Sequence, residues 1–269
     1  MPFIRNLYVA SLTSTLPDSG SDSELVVIMN RGGLDVVHRD LGFGGTETGG
    51  GKLYRHNISE SQVLPEDYYL RIGTRGDDAW RPNMITAWCD RFTSGAIVPL
   101  GYDEELEVVL STDPDEGRIS LPLRPVTPGM IRTQISRIML VTGTNVGDSA
   151  TDSPINVRIS RGEEVVVDHT IPDTPQPDLE GAEGNVYFLP VRQPFTRSQL
   201  TDQSIVLSIL GDDAWLPIVV ALFGLDTASG NPGRMVPLVY FDPLPFGVLS
   251  TDTGEGTAAV TLPLCAIDP

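Results

Sequence analysis

The chain has 269 residues, 40% of them apolar, and a formal charge of −18 from 36 acidic and 18 basic side chains. That length and apolar content are enough for two ordinary domains, each with a core of its own. A field of that sign repels phosphate backbones, so nucleic acid is not an expected partner.

In chain order, short apolar runs alternate with clusters of Gly, Pro, Asp and Ser. Residues 25–29 (LVVIM) read as a strand, and the glycine-rich residues 42–51 read as a loop. Alternating residues 69–72 (YLRI) precede GDDAW at 76–80, and an apolar run carrying Trp88 follows. Residues 106–110 (LEVVL) and 118–121 (RISL) read as further strands. Residues 125–130 form a short, proline-stiffened linker. Beyond it come runs around Val141 and Ile155, a helical turn at residues 196–200, and a run at 205–210. A second GDDAW stands at 211–215, and residues 218–223 (IVVALF) follow. Strand-length, β-branched runs at this spacing predict an all-β sandwich class.

The two GDDAW copies lie 135 positions apart, each followed by a proline (Pro82, Pro217) and by an aromatic eight residues past the tryptophan (Trp88, Phe223). Asp18 and Asp22 match Asp148 and Asp152 at an offset of 130, and Gly51 and Tyr54 match Gly184 and Tyr187 at 133. Val98-Pro99-Leu100 matches Val236-Pro237-Leu238 at 138. Leu110-Ser111-Thr112-Asp113 matches Leu249-Ser250-Thr251-Asp252 at 139, and Leu121-Pro122-Leu123 matches Leu262-Pro263-Leu264 at 141. An offset that only grows, in small steps, is the mark of one duplicated unit whose loops have lengthened. The expected organisation is two homologous antiparallel β-sandwiches, residues 1–124 and 131–269, joined by linker 125–130. Both halves carry the charge: residues 1–124 hold 19 acids and 11 bases, net −8, and the remainder 17 and 7, net −10.

Residues 141–157 (VTGTNVGDSATDSPINV), 184–190 (GNVYFLP) and the second GDDAW with its following strand together resemble the PLAT/LH2 (lipoxygenase-homology) β-sandwich family. By that resemblance Thr142 and Gly143 belong to the family's TG loop; the first half keeps Asp18, Asp22 and GDDAW, but residues 12–15 (LTST) replace the TG pair. The resemblance spans roughly residues 4–90 and 131–226. The matching segments 91–123 and 227–264 lie beyond the usual module and imply extra C-terminal strands present before duplication. Members of that family bind lipid surfaces or protein partners, often with calcium, and are not themselves catalysts. The resemblance therefore implies a non-enzymatic binding module whose acidic loops gather at one end of each sandwich.

Calcium takes six to eight oxygen ligands and suits loops rich in Asp, Asn and carbonyls. Candidate ligands are Asp18, Asp22, Asp77 and Asp78 in the first half and Asn145, Asp148, Asp152, Asp212 and Asp213 in the second. The same aspartates could instead cap turns through neighbouring backbone amides. Trp80 and Trp215 read as core residues, with a membrane wedge as the other reading. His38, His56 and His169 are scattered, and no nucleophile elbow, zinc motif, phosphate loop or dinucleotide fingerprint is present, so an enzyme is not expected. Cys89 and Cys265 stand at non-equivalent places and are expected as free thiols.

No apolar run reaches the length that crosses a bilayer. The opening MPFIRNLYVASLTS lacks the features of a secretory signal, so the protein is expected to be cytoplasmic as encoded. Export by an unencoded route, or incorporation into an assembly, is the alternative. Self-association as a structural protein, tiling into a filament, shell or appendage, is the competing function.

Overall fold

The structure is a computed structural model that describes residues 4–31, 34–42, 47–58, 69–91, 94–144, 150–172, 184–227 and 233–267. Over these residues the chain is all-β, with one short 3-10 turn at Arg197–Gln199. It divides into two compact units, Met1–Val126 and Thr127–Ile267. Among the described residues no helix is long and apolar enough to cross a membrane.

The first unit contains β1 (Ile4–Thr13), β2 (Leu25–Arg31), β3 (Leu34–Gly42), β4 (Gly51–Asn57), β5 (Tyr69–Thr74), β6 (Pro82–Arg91), β7 (Ile97–Glu104) and β8 (Ser120–Pro122). They form two antiparallel sheets, ordered β4-β1-β6-β7 and β3-β2-β5-β8. Leu7, Val9, Ile85 and Ala87 of the first sheet join Val27, Met29, Leu70 and Ile72 of the second in one buried cluster. The two sheets thus share a core, and the period-2 alternation of their strands selects which side chains enter it.

The second unit contains β9 (Thr127–Pro128), β10 (Gln134–Thr144), β11 (Ile155–Arg161), β12 (Glu164–Ile171), β13 (Gly184–Thr196), β14 (Ile205–Ile209), β15 (Pro217–Asp226), β16 (Arg234–Phe241) and β17 (Ala259–Thr261). Its sheets run β13-β10-β15-β16-β9 and β12-β11-β14-β17. Apart from β9, which pairs parallel to β16, these are the first unit's orders repeated strand for strand. The internal repeat in the sequence is therefore a repeat of topology. β14 shows the physical basis plainly: Ile205, Leu207 and Ile209 are buried, while Val206 and Ser208 are only half-buried. The segments after Arg91 and Asp226 supply β7 and β16 to one sheet and β8 and β17 to the other. In β6 and β15, residues on both faces are buried, and Tyr8 stacks on Trp88 with ring centroids 5.3 Å apart.

Two expectations change. Residues 106–109 form no strand: Glu105 adopts a left-handed φ of 54° and Leu106 N–H donates to Asn83 O, which turns the chain off β7. Only Leu110 of that run pairs, through a two-way backbone bridge to Trp80. Thr142 and Gly143 lie inside β10, opposite Asn185 and Gly184 of β13, rather than in a loop. The linker segment is held by backbone hydrogen bonds. Tyr102 and Val126 donate backbone N–H groups to Arg124 O and Leu100 O in the first unit, whereas Thr127 and Gly129 donate to Gly233 O and Met235 O in the second. At the end of the first unit, buried Asp103 accepts the Arg124 backbone N–H at 2.7 Å and pairs with the Arg124 guanidinium at 3.2 Å.

Candidate functional site: the acidic loop end of each unit

In each unit the GDDAW turn is built between two other loops, and the same contacts recur. Trp80 is fully buried and donates its indole N–H to Thr13 Oγ1 at 3.1 Å. Trp215 does the same to Thr144 Oγ1 at 3.1 Å. The backbone bridge from Trp80 to Leu110 recurs between Trp215 and Leu249. An indole that size in a core needs its one donor satisfied, and the threonine at the end of the first strand of each unit does this.

The aspartate before the alanine acts on the loop that follows β1 or β10. Asp78 Oδ2 accepts the Asp22 backbone N–H at 2.6 Å, and Asp213 Oδ2 accepts the Asp152 backbone N–H at 3.0 Å. Asp213 Oδ1 also takes the Ala214 N–H at 3.0 Å. Ser21 and Ser23 both donate to Asp78 O, and Ser153 Oγ accepts the Asp213 N–H. The approach is so close that a Cβ built on Gly76 or Gly211 would sit 2.1 Å from the Ser23 or Ser153 hydroxyl. Only glycine fits there.

A third loop closes the group. Thr112 and Thr251 donate their hydroxyls to Gly76 O and Gly211 O at 2.9 and 2.8 Å. Ser111 and Ser250 donate to Glu116 and Glu255, and accept the backbone N–H of Asp113 and Asp252. Gly117 and Gly256 pass against Val109 O and Val248 O, where a Cβ would lie within 2.5 Å. The shared motif is thus longer than LSTD. Offset 139 also carries Glu116-Gly117 onto Glu255-Gly256, within four residues of the LSTD match in the sequence.

The structure brings Asp22 beside Asp78 and Asp152 beside Asp213, with Asp77 and Asp212 exposed on the same turns. Asp18 lies on the first of these loops, exposed, with a left-handed φ of 55°. Asn145 and Asp148 lie outside the described residues. Among the described residues no three His, Cys, Asp or Glu side chains stand where they could hold one metal ion. Asp78 and Asp213 hold the turns, each with a carboxylate oxygen committed to a backbone N–H. Asp22, Asp77, Asp152 and Asp212 keep exposed carboxylates.

The two units differ beside this shared scaffold. Leu106 N–H bonds Asn83 O, and Leu244 N–H bonds Ile218 O, which sets these segments in correspondence. Arg81, Asn83, Glu105 and Glu107 of the first unit then match Leu216, Ile218, Pro243 and Pro245 of the second. Here one unit is charged and the other apolar.

Comparison of the chain with protein-family models, with curated proteins and with solved structures returns no match to any of them. The residues carry the functional argument by themselves.

Proposed function

We propose that the protein is a non-enzymatic binding module: two β-sandwiches of the PLAT/LH2 type in tandem, docking through their acidic loop ends onto a protein partner or a lipid surface. The observation behind this reading is the duplicated end itself. In each unit three loops are tied together by hydrogen bonds and expose carboxylates at matching places, Asp22, Asp77 and Asp113 in one and Asp152, Asp212 and Asp252 in the other. Exposed carboxylates on adjoining loops in a chain of net charge −18 repel one another, and a cation relieves that repulsion. Calcium is the ion this oxygen-only surface suits. Bound between the loops, it would bridge the acidic rim to an anionic partner.

Calorimetric titration with calcium tests the reading, with melting followed in calcium and in chelator. Calcium at about a hundred times its dissociation constant is expected to add roughly 2.7 kcal/mol to the folded state. Binding is expected to be tighter in the second unit and lost on replacing Asp148 and Asp152 with Asn. Cosedimentation with phosphatidylserine vesicles, in calcium and in chelator, separates a lipid surface from a protein partner. No binding at millimolar calcium, with melting unchanged by chelator, overturns the calcium reading.

A second reading is a structural protein that self-assembles. It is favoured by Ile218 and Phe246, 36% and 43% exposed, in the apolar segment where the first unit is charged. Sedimentation of the whole chain against its Phe246→Asp variant tests it. A larger species that dissociates in the variant supports assembly, and a monomer in both rules it out.

A further inference from the structure

The first unit has a groove of about 570 Å³ beside its GDDAW turn, lined among others by Leu16, Arg81, Asn83, Glu105, Glu107 and Val109. Its volume falls in the range of small-molecule sites. Leu16 comes from the loop after β1, Arg81 and Asn83 from the start of β6, and the others from the segment that Glu105 turns off β7. Glu105 holds a left-handed φ of 54° without being glycine, a conformation that costs free energy and concentrates at functional positions.

The scaffold does not require the groove's polar groups. The second unit builds the same turn, with the same backbone bond from Leu244 to Ile218, out of Leu216, Ile218, Pro243 and Pro245. Arg81 is half-buried, and among the described residues its guanidinium makes no ion pair or side-chain hydrogen bond. A free guanidinium is built to take a carboxylate in a two-pronged pair. A simple anion entering this groove would also meet Glu105 and Glu107, and a simple cation would meet Arg81. The lining is complementary to a molecule that carries both charges and an apolar body.

We propose that the groove binds a zwitterion of the amino-acid or short-peptide class. Its carboxylate pairs with Arg81, its ammonium with Glu105 and Glu107, and its apolar side chain packs on Leu16 and Val109. None of these polar groups belongs to the acidic rim, so the inference stands apart from the docking reading and from calcium.

The probe is the dipeptide Leu-Leu, titrated into the whole chain by calorimetry. Leu-Leu amide, which lacks the carboxylate, and N-acetyl-Leu-Leu, which lacks the ammonium, are titrated beside it. Saturable binding of Leu-Leu at up to millimolar concentration is expected, weakened roughly tenfold or more by either blocking group and by Arg81→Leu. Arg81→Leu copies the residue the second unit uses at this place, so the variant is expected to melt like the parent. Arg158→Leu, in β11 of the other unit, serves as the charge control and is expected to leave binding unchanged. No binding of Leu-Leu overturns the proposal, as does equal binding by Arg81→Leu or equal loss in Arg158→Leu.

Discussion

The indole of Trp80 donates to the hydroxyl of Thr13 at 3.1 Å, and the same bond joins Trp215 to Thr144. Both threonines are buried, at 3% and 2% exposure, and end the first long strand of their unit. The bond therefore pins the GDDAW turn to the central strand of one sheet, while the Leu110 or Leu249 bridge pins it to the third loop.

Trp80→Ala and Trp215→Ala are each expected to cost on the order of 3–5 kcal/mol, because either leaves a large cavity beneath the turn. Trp215→Phe keeps most of the ring but strands the Thr144 hydroxyl in the core, with an expected loss of roughly 1–3 kcal/mol. Denaturant melts of the three variants decide this. Losses below about 1 kcal/mol for the alanine variants would mean that the rings do not carry the core.

Gly76→Ala and Gly211→Ala are expected to destabilise by about 1–3 kcal/mol each, since the new methyl must displace Ser23 or Ser153. Ser23→Ala is not expected to rescue Gly76→Ala, because the Ser23 Cβ itself would lie 2.7 Å from the added carbon. Full rescue in the double variant, measured by thermal melting, would place the clash elsewhere.

Two titrations tilt stability in opposite directions with pH. Burial raises the Asp103 pKa despite the opposing Arg124 backbone N–H and guanidinium. The folded state then holds that proton longer than the unfolded state, so this contribution falls as pH rises through the folded pKa. Burial lowers the His56 pKa, with the nearby Arg39 charge adding to the effect and Asp40 opposing it. Its contribution is present above about pH 6.5 and is lost as pH falls through the folded value. Difference curves against Asp103→Asn and His56→Gln are expected to isolate slopes of opposite sign. Parallel curves for parent and variants would refute both assignments.

The Cys265 thiol is pushed up to about 11 by burial, which outweighs the nearby Arg197 guanidinium, and Cys89 is buried in the first unit's core. Since the thiolate is the reactive form, both are expected to resist alkylation at neutral pH in the native protein. Reaction should become fast on unfolding. Rapid labelling of the native protein by iodoacetamide, read by mass, would contradict this.

Much of the fold was legible because core periodicity and turn chemistry are local. The runs at 25–29, 205–209 and 218–223 are β-branched and alternate or stay apolar, and they are strands. Residues 106–110 have the same composition and are not a strand. Glu105 leaves the β region there, and the Asn83 carbonyl captures Leu106 in its place. Nothing in LEVVL records that competition. The aspartates were legible as a repeated acidic set but not in their division of labour. Asp78 and Asp77 are neighbours of the same type, yet only Asp78 lies within reach of the Asp22 amide, 56 positions away.

The sequence by itself determined the all-β class and the duplication, because strand propensity and repeated motifs are written in neighbouring residues. It also determined that the GDDAW turns and the LSTD segments recur together. Only the tertiary structure decided what those motifs touch. Strand order, the sharing of one core by two sheets, and the closure of three loops on one tryptophan depend on contacts between residues far apart in the chain. So does the groove at Arg81. Its polar lining becomes visible only when the Leu106–Asn83 and Leu244–Ile218 bonds set the two units in register.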